Sequence, residues 1–136
     1  MNVRPTPAPV SVYLVDDAKP VRCRIAARLG ALAGIAVVGE AEDLAAALAG
    51  LSACQPDIAI IDLRLADGNG LELIATLSRR VPRVVTVVLT NLSGPAFRAA
   101  SRAAGADFFF DKTVEFDAAC RTIEAIAHQR RSDMSQ

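Results

Sequence analysis

Short apolar runs alternate along the chain with longer stretches in which apolar residues recur every three or four positions. The runs, most of them rich in β-branched residues, are Val12–Val15, Ile35–Val38, Ile58–Ile61, Val84–Leu89 and Phe108–Phe110. They show little alternation of polar and apolar positions, which is typical of strands buried on both faces. We therefore expect five interior strands.

Each apolar run is followed by a stretch with helical spacing. The stripes are Val21, Ile25, Leu29 and Leu32; Leu44, Leu48 and Leu51; Leu71, Ile74 and Leu77; the Ala-rich segment Pro95–Ala104, closed by Gly105; and Phe116, Cys120, Ile123 and Ala127. Because parallel strands need crossover connections, this βαβαβαβαβα order predicts a doubly wound α/β fold with helices on both faces of a parallel sheet. The common winding for this pattern has the strand order 2-1-3-4-5.

The length of 136 residues fits one domain. We place this domain at residues 10–128, between an N-terminal arm of residues 1–9 with three prolines and a polar tail of residues 129–136. Both ends are expected to be flexible. A separate effector domain of ordinary size does not fit beside it, so we expect a stand-alone domain.

Composition narrows the function classes. The 15 basic and 15 acidic residues cancel, so we expect no general electrostatic attraction to DNA or to anionic membranes. The chain has neither an apolar run of about 18 residues nor the apolar core of a signal peptide, which predicts a cytoplasmic protein. Cys23, Cys54 and Cys120 lie in apolar stretches, where we expect buried free thiols.

Polar residues that could bind a ligand or take part in a reaction follow four of the five runs. Asp16 and Asp17 come after the first run, Asp62 after the third, Thr90 after the fourth and Lys112 after the fifth. Ligands of open α/β sheets bind at the carboxyl ends of the strands, and the order 2-1-3-4-5 places the first and third strands side by side. One crevice is therefore expected to hold three carboxylates, a hydroxyl and an ammonium group.

Three neighbouring carboxylates resist ionising together unless a cation neutralises them. Mg²⁺ suits such a site because it takes oxygen ligands, and a carboxylate beside it can form an aspartyl-phosphate. A single aspartate after a strand is more often a turn or capping residue. The coincidence at four strand ends favours a functional site.

The motifs LVDD (14–17), IIDLRLADGNG (60–70), VVLTN (87–91) and GADFFFDK (105–112) resemble the receiver domain of two-component response regulators. The resemblance covers residues 10–127, with the motifs in the family's order and at its usual spacings. It implies a (βα)5 flavodoxin-like fold. No single motif carries the resemblance; the set does.

The resemblance implies a role for each acidic position. Asp62 is the implied phosphoacceptor, which takes a phosphoryl group from the phosphohistidine of a sensor kinase or phosphotransfer protein. Mg²⁺ is the implied cofactor, with Asp17 as a direct ligand, Asp16 acting mainly through water, and Asp62 and the backbone carbonyl of Arg64 completing the protein ligands.

The resemblance also implies a switch. Thr90 and Lys112 contact the phosphoryl oxygens, and Phe109 occupies the place of the aromatic switch residue that turns inward with Thr90. An alternative is that Phe108, Phe109 and Phe110 are all core residues. Strand alternation would instead place Phe109 on the face opposite to its two neighbours.

Two positions depart from the commonest receiver pattern. Ala66 replaces a frequent proline, which implies a looser loop after Asp62. Thr113 replaces the proline that usually follows Lys112, and the peptide before that proline is typically cis. Because a cis bond before another residue costs about 3–4 kcal/mol, either the site holds that strain or the loop differs.

Other basic residues and the histidine are expected to be surface residues. Arg22, Arg24 and Arg28 in the first helix, and Arg98 and Arg102 in the fourth, are interpreted as solvated faces, and His128 as solvent-exposed. Arg22 and Arg24 are also weak candidates for partner contacts, since kinases dock near the first helix of receivers.

The sequence thus predicts a single-domain response regulator that signals through a downstream protein and is a phosphorylated switch rather than an enzyme. Direct DNA or membrane binding is not expected, and the fourth and fifth helices are where family dimers form. One alternative is a receiver-like interaction module that is not phosphorylated. Another is an aspartyl-phosphate phosphatase, although its DxDxT motif is missing from the first strand. Flavin binding is disfavoured, because Asp16 and Asp17 would repel phosphate.

Overall fold

The computed structural model describes residues 8–134. Most of the predicted N-terminal arm and the last two residues of the predicted tail lie outside this range. The main strands are β1 (Val10–Val15), β2 (Ile35–Ala41), β3 (Ile58–Ile61), β6 (Val85–Thr90) and β7 (Phe108–Asp111). A short hairpin follows β3 and consists of two strands of two residues each, β4 (Arg64–Leu65) and β5 (Gly68–Asn69). The helices are α1 (Lys19–Gly30), α2 (Leu44–Cys54), α3 (Gly70–Ser78), α4 (Pro95–Ala104) and α5 (Phe116–Met134).

The main sheet is parallel and has the order β2-β1-β3-β6-β7. Counted along the chain, this is the predicted order 2-1-3-4-5, and the doubly wound flavodoxin-like fold is confirmed. Val15 of β1 pairs with Ile61 of β3, so these two strands end level with each other. The residues that follow them therefore lie side by side at one edge of the sheet.

Two apolar clusters cover the two faces of the sheet. The first packs α1 and α5 against alternate strand residues such as Leu14, Ile60 and Val87. The second packs α2 and α3 against the intervening residues, such as Val15 and Ile61. Because successive side chains of a strand point to opposite faces, unbroken apolar runs supply both clusters.

The prediction of burial on both faces is confirmed for β1 and β3 and is wrong for the two edge strands. In β2, Val38 is 45% exposed, and in β7, Phe108 is 39% exposed. An edge strand has a neighbour on one side only, so the helices cover it incompletely. In α2, the buried positions are Ala47 and Leu51, while the predicted stripe residue Leu48 is exposed.

The C-terminal boundary differs from the predicted one. Helix α5 continues to Met134, past the expected domain end at residue 128. On this extension Arg130 donates to Asp57 Oδ1 over 3.1 Å, and the other oxygen of Asp57 accepts from the backbone N–H and the hydroxyl of Ser11. An ion pair to the base of the sheet thus holds the polar segment that composition assigned to a flexible tail.

The prediction that all three thiols are buried is confirmed for one cysteine and is wrong for the other two. Cys120 is buried against the first cluster, whereas Cys23 and Cys54 are exposed, because they lie on the outer faces of α1 and α2. His128 is exposed, as expected. In the part of the chain that the structure describes, no helix combines the length and apolarity needed to cross a bilayer.

Candidate functional site

The paired strands β1 and β3 bring two carboxylates together. Asp16 and Asp62 follow them directly, and their backbone N–H groups continue the ladder by donating to Ala41 O and Val15 O, respectively. Both side chains are buried, with residue exposures of 2% and 5%. Asp17 is exposed at the rim, and one carboxylate oxygen from each of the three aspartates lies within 4.8 Å of the others. The predicted acidic cluster is therefore present.

Lys112 joins the two buried carboxylates. Its Nζ donates to Asp16 Oδ2 over 2.6 Å and to Asp62 Oδ2 over 2.7 Å. The lysine follows β7, and its backbone N–H donates to Thr90 O, which keeps the end of β7 level with the end of β6. The ammonium group thus reaches the cluster from two strands away.

Thr90 contacts the other oxygen of Asp62. The threonine is fully buried, and its Oγ1 donates to Asp62 Oδ1 over 2.7 Å while accepting from Leu92 N over 3.2 Å. The N–H of Arg64 donates to the same Asp62 oxygen over 3.2 Å, so Arg64 lies directly beside this carboxylate. Donors from β6, β7 and the β4 hairpin therefore surround Asp62.

Burial and hydrogen bonding both shift the pKa values of Asp16 and Lys112. Burial raises the pKa of Asp16, and hydrogen bonds from Lys112 and Ala18 offset this only in part. Burial by itself would lower the pKa of Lys112. Its hydrogen bonds to Asp16 and Asp62 outweigh that effect, so the pKa of Lys112 is raised. The lysine therefore stays charged at neutral pH.

The donor set fits a hard divalent cation. Three ionised carboxylates and one ammonium group sum to a charge of minus two (−3 + 1), which a divalent ion neutralises. Two ligands on opposite sides of Mg²⁺, with bonds of about 2.1 Å, lie about 4.2 Å apart. The observed spread of the carboxylate oxygens, within 4.8 Å, is close to this span. Asp16, Asp17 and Asp62 could hold such an ion.

Comparison with known proteins identifies the family at this point. A family model of the response regulator receiver domain matches residues 12–124. The chain belongs to this family. Receiver domains generally bind Mg²⁺, in agreement with the acidic cluster.

Two curated relatives are longer than this chain. The DNA-binding transcriptional activator DevR/DosR of Mycobacterium tuberculosis is 36% identical over 121 residues, which are 89% of this chain and 56% of the relative. The photosynthetic apparatus regulatory protein RegA of Rhodovulum sulfidophilum is 34% identical over 105 residues, 77% of this chain and 56% of the relative. The chain thus spans about half the length of these relatives.

Solved structures show the same receiver fold. The signal receiver domain of the putative response regulator NarL from Mycobacterium tuberculosis superposes with a TM-score of 0.80 at 27% identity, covering 90% of this chain and 98% of that chain. The isolated receiver domain of RcsB from Salmonella enterica serovar Typhimurium, in the presence of the phosphomimetic BeF3⁻, has a TM-score of 0.69 at 28% identity. That similarity covers 76% of this chain and 78% of that chain.

The loop after Asp62 is tied down in this receiver, despite Ala66. Asp67, in the turn of the β4–β5 hairpin, accepts hydrogen bonds from Leu44 N over 2.7 Å and Ala45 N over 3.2 Å. These bonds to the N-terminus of α2 lower the pKa of Asp67. This side-chain cap is a constraint on the loop that does not depend on a proline at position 66. The Lys112–Thr113 peptide is trans, so the departure at Thr113 brings no cis-bond strain.

Phe109 lies on the face opposite to its aromatic neighbours. The rings of Phe108 and Phe110 stack with centroids 6.5 Å apart, and Phe110 packs against the first apolar cluster. Phe109 packs against the second cluster and is half-buried. The alternation predicted for β7 is confirmed, and the alternative that all three rings are core residues is wrong because β7 is an edge strand.

Arg98 connects Phe109 to the loops that carry the site. Its guanidinium lies 4.7 Å from the Phe109 ring centroid. It donates from Nε to Ser93 O over 3.1 Å and from Nη2 to Glu115 Oε1 over 2.8 Å. Ser93 in turn hydrogen-bonds to the carboxylate of Asp111, the residue before Lys112. The prediction of a merely solvated Arg98 is wrong, because the folded loops place acceptors around it.

The prediction that Arg22 lies on a solvated face is also wrong. The residue is buried, and its guanidinium donates to the backbone carbonyl of Asp16 and pairs with Glu40. Arg24 and Arg28 are exposed, as expected, and both lie over the Phe116 ring. The missed signal is the spacing of Arg22 from Ile25 and Leu29, which puts all three on the buried stripe of α1.

Proposed function

We propose that residues 10–134 form a Mg²⁺-dependent phosphoacceptor domain, in which Asp62 takes a phosphoryl group from a sensor histidine kinase or a histidine phosphotransfer protein. The observation that carries this proposal is the surroundings of Asp62. Its carboxylate is buried within the acidic cluster and contacts Lys112 and Thr90, each at 2.7 Å. The RcsB receiver has been observed with a phosphomimetic, which supports a phosphoryl-accepting role for this fold.

The chemistry follows from the contacts of Asp62. A carboxylate oxygen of Asp62 attacks phosphorus, the new O–P bond forms, and the P–N bond to the donor imidazole breaks. Lys112, already beside Asp62 Oδ2, moves its hydrogen bond to a phosphoryl oxygen, and the hydroxyl of Thr90 donates to another. Arg64 N–H continues to orient the carboxylate.

Asp16, Asp17 and Asp62, with the backbone carbonyl of Arg64, are the proposed Mg²⁺ ligands. When bound, Mg²⁺ supplies charge neutralisation for the phosphoryl oxygens. Asp16 and Asp62 already share the Lys112 ammonium group, so their charges are partly balanced before a cation arrives.

The proposed output is a change of protein contacts. Movement of Thr90 toward the phosphoryl group would vacate space near β7, and Phe109 would turn inward to fill it. This is a local electrostatic change that biases a two-state element. Helices α4 and α5, which both contact β7, are the proposed surface for a downstream protein or a second copy of the domain. The domain promotes its own phosphorylation and dephosphorylation, so we classify it as a cytoplasmic signalling switch rather than an enzyme.

Direct DNA binding is not part of the proposed activity of this domain. DevR/DosR, of which the match covers 56%, is a DNA-binding transcriptional activator as a whole protein. The full chain has equal numbers of basic and acidic residues, and this composition favours protein contacts over phosphate contacts.

Labelling with a small phosphodonor tests the acceptor. With Mg²⁺ present, the wild-type chain should gain the mass of one phosphoryl group, and acid-labile label should be lost in Asp62→Asn. Asp57→Asn is the matched control, because Asp57 precedes the strand that Asp62 follows. Equal labelling of the Asp62 variant would place the acceptor elsewhere. An unlabelled wild type would favour the alternative of a receiver-like interaction module.

A further inference from the structure

We propose that Arg22 is a positioning residue that aims the Asp17 carboxylate at the metal site. This inference rests on the proposed function. Arg22 is 9% exposed, which is unusual for arginine unless its charge is paired. Its Nη1 donates to the backbone carbonyl of Asp16 over 2.6 Å, and its Nε pairs with Glu40 Oε1 over 3.0 Å. One guanidinium therefore joins the β1–α1 loop to β2.

Helix stability does not explain this burial. Arg22 lies in the first turn of α1, where the helix dipole disfavours a positive charge. The first turn of α1 contains no acidic residue, and its N-cap, Ala18, provides no side-chain cap. The contacts of Arg22 thus serve the loop in front of the helix rather than the helix itself.

Asp17 depends on the backbone for its orientation. Within residues 8–134, its exposed carboxylate has neither a hydrogen bond nor an ion pair to hold it. The carbonyl of Asp16 and the N–H of Asp17 belong to one planar peptide unit. By holding that carbonyl, Arg22 sets the direction in which the Asp17 backbone, and with it the carboxylate, leaves β1.

The other hydrogen bonds of this loop do not fix the orientation of the peptide between Asp16 and Asp17. Asp16 N–H is held by Ala41 O, and Asp16 Oδ1 accepts from Ala18 N over 2.9 Å. Both bonds fix Asp16 and the start of α1, but neither involves the carbonyl between Asp16 and Asp17. Arg22 supplies the missing constraint.

The arrangement of the guanidinium nitrogens matters more for this positioning role than the positive charge does. Arg22 uses two different nitrogens for its two partners, which a lysine ammonium cannot reproduce in the same geometry. Glu40 balances the charge locally, so the influence of Arg22 on the acidic cluster is chiefly geometric. Arg22→Lys therefore separates the two contributions.

Calorimetric titration with Mg²⁺ tests the proposal directly. Groups that orient metal ligands typically contribute about 10- to 100-fold in metal affinity. We expect Arg22→Lys and Arg22→Gln to weaken Mg²⁺ binding by at least about tenfold, and Glu40→Gln to weaken it less, because the bond to the carbonyl remains. Labelling by a small phosphodonor should need proportionally more Mg²⁺ but reach a maximal rate near that of the wild type.

Arg24→Gln is the matched control, since Arg24 lies on the same helix with its side chain exposed over Phe116. It should leave Mg²⁺ affinity unchanged. Unaltered Mg²⁺ affinity in a folded Arg22→Lys variant would overturn the geometric role. If Arg22→Gln does not fold, Arg22→Lys and Glu40→Gln decide the matter. A wild type that neither binds Mg²⁺ nor accepts label would instead overturn the proposed function itself.

Discussion

A single ammonium group balances two buried carboxylates in this receiver. Lys112 has only 13% of its side chain exposed, and it hydrogen-bonds to Asp16 and Asp62 at 2.6 and 2.7 Å. Removing one member of a buried ionic group is costly because the remaining charges stay desolvated and unpaired. Lys112 therefore contributes to the stability of the metal-free domain, in addition to its proposed role in phosphoryl transfer.

Replacing Lys112 should show this dual role. Lys112→Met keeps the length of the side chain but changes the charge of the cluster from minus two to minus three. Without Mg²⁺ at neutral pH, we expect a loss of stability on the order of 3 kcal/mol. Millimolar Mg²⁺ should raise the melting temperature of the wild type, and that of the variant by more, since the variant has more repulsion to relieve.

Thermal unfolding of both proteins with and without Mg²⁺ measures the effect. Arg79→Met serves as the control, because Arg79 is exposed at the end of α3. An equal Mg²⁺-induced rise in the wild type and in Lys112→Met would contradict the role of Lys112 in balancing the cluster.

Residues at the ends of strands, or directly after them, were predictable because the topology alone brings them together. Asp16, Asp62, Thr90 and Lys112 meet as the strand order requires. Arg22 was not recognised, although it shares a helical stripe with Ile25, because a charged residue on an apolar face is ordinarily assigned to solvent. Its partners are a backbone carbonyl and a glutamate from another strand, which only the folded chain brings near.

Elements were predictable where local signals agree with packing. Gly105 was expected to end α4, and it does so with a φ of 109°. The β4–β5 hairpin was missed, since two-residue strands have no periodicity to detect. The extension of α5 to Met134 was missed because its polar composition is equally typical of a tail and of an exposed helix. The cap that Asp67 gives to α2 comes from a different segment of the chain.

Gly105 provides a test at the level of one element. Its positive φ disfavours any side chain by about 1–2 kcal/mol, and a Cβ there would lie 2.6 Å from Ser78 Cβ. We expect Gly105→Ala to destabilise the domain by at least about 1–2 kcal/mol in urea unfolding. Gly30→Ala is the matched control, because a Cβ at Gly30 meets nothing within 4 Å. Gly30→Ala should be neutral or stabilising, and equal losses in the two variants would contradict this account of the α4 C-cap.

The acidic cluster and the ion pair that holds the C-terminal part of α5 lie at opposite ends of the sheet. At one end, Asp62 and Lys112 form the proposed phosphoacceptor site. At the other end, Asp57 holds both Ser11 of β1 and Arg130 of α5. The strand β3 joins the two aspartates, and its four residues are all buried. This buried strand is a rigid support, so movement during signalling should concentrate in the loops around Thr90 and Lys112.

Burial also determines how the stability of the molecule responds to alkaline pH. Burial raises the pKa of the Cys120 thiol and of the Tyr13 phenol, and hydrogen bonds raise that of Lys112 despite its burial. For all three groups, the unfolded chain loses its proton at a lower pH than the folded chain does. Deprotonation therefore favours unfolding, and stability should fall as pH rises above the unfolded values, about 8.5 for cysteine and about 10 for tyrosine and lysine.

Cys120 should dominate the first part of this decline, because its ordinary pKa is the lowest of the three. Urea unfolding of the reduced protein between pH 7 and pH 10 should show a free energy of unfolding that decreases from about pH 8.5 upward. In Cys120→Ala the free energy should be lower at pH 7, since a buried sulfur is lost, but it should decrease less between pH 8 and pH 9.5. Cys23→Ala is the matched control because Cys23 is exposed, and this variant should keep the wild-type slope. A slope in Cys120→Ala as steep as that of the wild type would show that the buried thiol is not the group responsible.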